Sequence, residues 1–486
     1  MNNIRTIPTY AFQHLPNLTL LNLTFCGIRV LEENCFAGLL HLRELVIPRN
    51  EFNAARLPRE TFACLPSLQL LSMAEQGKAG EYPTGILEDL SELRTLSVTS
   101  QGINLPDVYG RLPKLDTLIL DGSVNDLTSQ KMSRITADTF AAIRDSNVTT
   151  LIIRSASLVN IDAGTFSNFK NLRAFIVYTN KPLNVKKAVF ALGHMVNTSI
   201  DTVVLDGTFH YDIIYGLQAY DINYFCDGPV WKNLKHLSLR NVRLATFVPR
   251  DVPCLSALQE LSVAYNHMTF SMPYDTGKMH HLPQLRIIHI SRANVGGPGY
   301  IYHYCHSSIF RFQADDFFPR VPQFRRVDNS TVPEETAKEY TYSPDVFLQP
   351  AVRYIDASAS NFKHVSRVGK VISFSHPNSV LILNVSGTHI LNRVNGLLVG
   401  LTQLQVLDAS DGVVESIHPD FLRHLPLLRV LNQSHNSLAI ERIANGGQAL
   451  RLCWDERFAG VFWDKLRRRL LEHEDENTEV RSQPAH

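Results

Sequence analysis

The chain has 486 residues, 44% of them hydrophobic, with 47 basic residues against 46 acidic ones and a net charge of +1. So even a balance excludes a nucleic-acid scaffold built on bulk charge and an acidic disordered chain, and the apolar share is that of a folded protein. Seven cysteines (Cys26, Cys35, Cys64, Cys226, Cys254, Cys305 and Cys453) with no CxC or CxxC pair fit neither a disulfide framework nor a zinc module, which leaves the redox compartment open.

In chain order, Met1 is followed by "NNIRTIPTY", which lacks the apolar core of a secretion signal, and no window offers the ~20 apolar residues of a membrane helix. From residue 18 onward one text recurs. "LTLLNLTFCGI" (18–28), "LRELVIPRNEF" (42–52), "LRTLSVTSQGI" (93–103), "LQELSVAYNHM" (258–268) and "LRVLNQSHNSL" (428–438) align as LxxLxLxxNxL. This is a leucine-rich repeat, with 15 copies starting at residues 18, 42, 68, 93, 115, 148, 172, 200, 234, 258, 285, 352, 380, 404 and 428.

Each copy predicts a short strand whose first, fourth and sixth residues point inward, a ninth residue that turns the chain, and a return carrying a second apolar row, as in "CFAGLLHL" and "TFACLPSL". One unit cannot bury its own face, whereas stacked units share a core. Most spacings, 22 to 28 residues, are too short for a helix in every return. The expected class is therefore α/β, a leucine-rich repeat solenoid curved as a horseshoe, with a parallel concave β-sheet and a convex side of loops and short helices. The repeats span 1–440, and 441–486 form a separate tail. The ninth residue is Asn50, Asn180, Asn266 or Asn436 in the clearest copies, where its side chain can satisfy turn backbone. At Ala156, Val242, Ala293 and Gly412 it cannot, so local irregularity is expected there. The 67 residues between the starts at 285 and 352 contain an irregular excursion (296–350), with a degenerate copy expected near Phe324. Loops of this length are commonly functional or disordered.

The short repeat with an F-x-x-L-x-x-L return resembles the leucine-rich ectodomains of Toll-like receptors. In the tail, Leu452 and Cys453, followed by acidic residues and Arg457, resemble the second box of a Toll/interleukin-1 receptor (TIR) domain, LCxxxRDxxPG. Phe462 and Trp463 resemble its third box. Phe458, Ala459 and Gly460 follow Arg457, so the aspartate and proline of the second box are absent, as is the long segment between the boxes. Phe462, Leu466 and Leu470 also recur at helical spacing, which predicts a short amphipathic helix able to cover the last repeat. The resemblance implies a membrane receptor facing extracellular or endosomal space, truncated and unable to signal by itself. It further implies a microbial ligand or protein partner on the concave face or irregular loops, with a homodimer as a further option. The alternative is a generic leucine-rich repeat adaptor unrelated to membrane signalling.

No cofactor is implied. GxGxxG, P-loop, HExxH and GxSxG texts are absent, so an enzyme is not expected. His303, Cys305 and His306 match no usual metal-ligand spacing, and no nucleic-acid signature stands out. Sequons at Asn147, Asn197 and Asn329 lie in connecting segments where a glycan is tolerated. The fifth residue of each strand text must point out of the sheet, because strand side chains alternate. Along that mostly polar row stand four consecutive apolar residues, Ile119, Ile152, Ile176 and Val204, bordered at the seventh position by Asp121, Arg154, Tyr178 and Asp206. An apolar ridge with a polar rim is the anatomy of a contact surface.

Overall fold

The computed structural model describes residues 4–74, 85–99, 105, 107–121, 134–155, 158, 160–166, 169–179, 183, 185–193, 195, 200–207, 229–242, 253–266, 269–270, 282–291, 294–295, 351–360, 371–374, 378–388, 397–412, 414 and 421–436. The tail motif (Leu452, Cys453, Arg457, Phe462, Trp463), the excursion 296–350, Asn197 and Asn329 lie outside these residues.

Alternation along the repeat text sends its apolar residues to one face. Leu42, Leu45 and Ile47, then Leu68, Leu71 and Met73, then Leu172, Phe175 and Val177 are fully buried. Each such side chain contributes about 1.5–3 kcal/mol on leaving water. Fifteen strands result: β1 (Leu20–Asn22), β2 (Glu44–Val46), β3 (Leu70–Ser72), β4 (Thr95–Thr99), β5 (Thr117–Asp121), β6 (Thr150–Ser155), β7 (Ala174–Thr179), β8 (Thr202–Gly207), β9 (His236–Ser238), β10 (Glu260–Ser262), β11 (Ile287–His289), β12 (Tyr354–Asp356), β13 (Ile382–Asn384), β14 (Val406–Asp408) and β15 (Val430–Asn432). They form one sheet in chain order, and neighbouring strands run parallel. Every strand of this sheet begins two residues after a repeat start, so each of the 15 copies supplies one of its strands.

β11 pairs directly with β12, Ile287 opposite Tyr354 and His289 opposite Asp356. A coil between them would hold these strands about 10 Å apart instead of about 5 Å. The degenerate copy expected near Phe324 lies outside the described residues.

The returns are irregular, with 3-10 turns such as Arg59–Thr61, Ala141–Ile143 and Phe421–His424 and, among the described residues, two helices, α1 (Val108–Arg111) and α2 (Val185–Gly193). Their phenylalanines stack between coils. Phe12, Phe36 and Phe62 follow one another at 6.0 and 6.1 Å, and Phe140 meets Phe166 at 5.9 Å.

The turn asparagines act across two coils. Asn50 donates to Leu23 O and Ile47 O and accepts from the N–H groups of Cys26 and Ile28. Asn266 and Asn436 repeat the pattern. This corrects the expected irregularity at Val242 and Gly412. Their backbone N–H groups are held by Asn266 and Asn436 of the following coil, so a poor ninth residue is compensated by its neighbour and the sheet runs on in register. Ala156 and Ala293 fall outside the described residues.

Candidate functional site

Strand register determines what the concave face presents. Ser97, Ile119, Ile152, Ile176, Val204 and Ser238 lie directly opposite one another across β4 to β9. The four apolar side chains are partly exposed and make a ridge roughly 15 Å long at about 4.8 Å per strand. The sheet is also widest here, since β4 to β8 have five or six residues where other strands have three. Isoleucine and valine favour extended backbone, which accounts for part of that extra length.

The seventh-position rim is equally ordered, with Asp121 opposite Arg154, Arg154 opposite Tyr178, and Tyr178 opposite Asp206. An Arg154 nitrogen lies 3.6 Å from Asp121 Oδ1, and Ser97 donates to Asp121 Oδ2 at 2.9 Å. Asp206 accepts from Ser238 Oγ at 2.7 Å and Arg240 N at 2.9 Å. Burial pushes its carboxyl above the ordinary range, against the pull of these donors. Tyr178 stays exposed, with its phenol pushed up by partial burial and by Asp206. Next along, the Arg240 guanidinium lies over the Tyr265 ring, 5.2 Å from its centroid. The six residues singled out from the sequence, Ile119, Ile152, Ile176, Val204, Arg154 and Tyr178, thus form one continuous patch.

The outward row is not uniformly open. Ser97, Ser262 and Asp408 are only 4%, 6% and 5% exposed. Short side chains in a tightly laddered row are shaded by their neighbours. Asn147 is exposed and donates one amide hydrogen to Pro113 O, a bond that an N-linked glycan would leave possible.

Sequence reasoning followed the fifth-position row and missed two features that involve the third. Ile287, Tyr354, Ile382 and Val406, consecutive in register, form a second buried apolar cluster separate from the main core. Beside it, His289 Nε2 lies 3.4 Å from Glu260 Oε1 and its Nδ1 3.5 Å from Asp356 Oδ2, while His236 Nδ1 lies 3.2 Å from Glu260 Oε2. Reading rows three and five together exposes both. Among the described residues no group of histidine, cysteine and carboxylate side chains could hold a metal ion, and no helix is long and apolar enough to cross a membrane.

A stacked parallel sheet with an outward-facing ridge and few helices defines a leucine-rich repeat solenoid. A leucine-rich repeat family model matches residues 1–52 and 16–75. No curated protein matches the sequence. Among solved structures, the crystal structure of a TLR13–ssRNA13 complex superposes with a TM-score of 0.51 at 16% identity, covering 90% of this chain and 62% of that one. A leucine-rich repeat protein of Leptospira interrogans gives a TM-score of 0.39 at 15% identity, covering 88% of this chain and 93% of that one. The chain thus spans less than two thirds of the Toll-like receptor chain whose fold it shares.

Proposed function

We propose that this chain is the ligand- or protein-binding portion of a Toll-like innate immune receptor, and that it binds through the concave ridge Ile119, Ile152, Ile176 and Val204 with Arg154 and Tyr178 at its rim. One observation carries the reading: four apolar side chains stand in register, partly exposed, in a row that is otherwise mostly polar. β-propensity explains each of them singly but not their succession. Cys254 is disulfide-bonded, which suits an oxidising compartment better than a cytosolic adaptor. The TIR-like residues of the tail do not signal by themselves in this reading.

The test is a double substitution, Ile152→Asp with Ile176→Asp. Both side chains point away from the core, so the far-UV circular dichroism stays that of the wild type, while two facing carboxylates lower the thermal midpoint without unfolding the chain at about 25 °C. Wild-type and variant chains are immobilised side by side and presented with fractionated microbial extract. A component retained by the wild type is expected to be lost from the variant, with at least a tenfold drop in affinity, because two buried apolar contacts of about 1.5 kcal/mol or more each are removed. Equal retention would move the site away from the ridge, with residues 300–312 next in order.

A further inference from the structure

The second residue of each repeat sits where the return enters the sheet. In chain order this row reads Thr19, Arg43, Gln69, Arg94, Asp116, Thr149, Arg173, Asp201, Lys235, Gln259, Arg286, Arg353, Leu381, Gln405 and Arg429. Each residue's N–H donates to the carbonyl of the row member before it, from Arg43 on Thr19 to Arg429 on Gln405. The row is therefore rigid along the whole sheet, about 65 Å for 14 steps at about 4.8 Å.

Seven of its fifteen members are basic and two acidic. Lysine and arginine make up 47 of 486 residues, so fifteen positions taken at large would hold one or two. The seventh-position row at the other side of the same strands carries only Arg154 and Arg240 as cations, against Asp121 and Asp206. Arg43, Arg94, Arg173, Lys235 and Arg429 are exposed. Of these five, only Arg94 lies within reach of a carboxylate among the described residues, Asp116 at 3.9 Å. Most of this charge is therefore unspent on the fold, in a molecule whose net charge is only +1.

We infer that this edge of the sheet binds a linear sulfated polysaccharide. The row is one cation wide and long, which suits an extended polyanion better than the broad surface of an acidic protein. Its commonest gap, two coils or about 10 Å, sets cations at intervals along an extended strand. Single-stranded nucleic acid would need aromatic side chains for its bases to stack on, and the row contains none. This inference is independent of the apolar ridge.

The 486-residue chain is loaded on heparin–agarose, and its affinity for soluble heparin is measured across a salt series. Arg173→Ala with Lys235→Ala is expected to weaken binding roughly tenfold and to reduce the slope of log affinity against log salt by up to about two, one for each lost cation contact. Arg56→Ala with Arg111→Ala, on exposed return positions, leaves both unchanged. Desulfated heparin binds weakly, and sodium sulfate at matched ionic strength does not compete beyond the salt effect itself. Retention that survives loss of Arg173 and Lys235, or equal binding of desulfated heparin, overturns the proposal. Tighter binding to poly(dT) than to heparin overturns it in favour of nucleic acid.

Discussion

At the scale of single residues, the turn asparagines tie neighbouring coils together. Asn266 is buried, donates to Leu239 O at 2.7 Å and Val263 O at 2.9 Å, and accepts from Val242 N at 3.0 Å. Alanine in its place would strand backbone groups of two coils at once, and each buried unsatisfied group costs about 1–3 kcal/mol, reduced where water can enter. Asn266→Ala is therefore expected to lower stability by about 2–4 kcal/mol and to weaken amide-exchange protection in β9 and β10 together. A loss below about 1 kcal/mol would show that water replaces the side chain at little cost. The repeat text identified Asn266 as a turn residue. It did not show that Asn266 also serves the coil before it, because that depends on which carbonyls stacking brings within reach.

At the scale of elements, β9 to β12 carry a charged cluster with a predictable response to pH. Burial pulls the His289 imidazole pKa down, but hydrogen bonds and charges from Asp356 and Glu260 outweigh it and leave the value above the usual 6.5. Burial pushes Asp356 up, and hydrogen bonds from His289 and Ser358 with the His289 charge outweigh that, leaving it below the usual 3.8. The raised histidine stabilises the fold fully below its unfolded value and loses that contribution as pH rises through its folded value. The lowered aspartate stabilises above its unfolded value and loses this as pH falls through its folded one. Together they favour the fold most between about pH 4 and about pH 6.5. His236 and Glu260 share the cluster and the Tyr354 ring packs on His289, so His289→Gln is the specific probe. Wild-type chain is expected to melt at a lower temperature at about pH 8 than at about pH 5.5, and the variant to show a smaller difference. An identical difference in both would assign the pH response to other groups. Neither His289 nor Asp356 stood out in the sequence, because 64 residues separate their strands in the text while register makes them neighbours.

At the scale of the whole molecule, the sheet was legible because leucine spacing is a local signal repeated 15 times. The irregular parts were harder to read, and the stretch around Phe324, where a degenerate copy is expected, lies outside the described residues. The apolar ridge was legible in outline from strand alternation, but its union with Asp121, Arg154, Tyr178 and Asp206 rests on register. In a solenoid each coil is stabilised chiefly by its immediate neighbours, so a long return between two paired strands should be dispensable for the sheet itself. Removing residues 305–344, 40 residues, shortens the 67-residue interval between the starts at 285 and 352 to 27, the same as that between 258 and 285. The shortened chain is expected to keep its far-UV circular dichroism per coil and its amide protection in β11 and β12. The entropy of closing a shorter loop would be slightly in its favour, by about 0.6 kcal/mol for each halving of length. Loss of protection in β11 and β12 alone would mean that the excursion holds these strands together, and the sheet would then be two blocks joined by it.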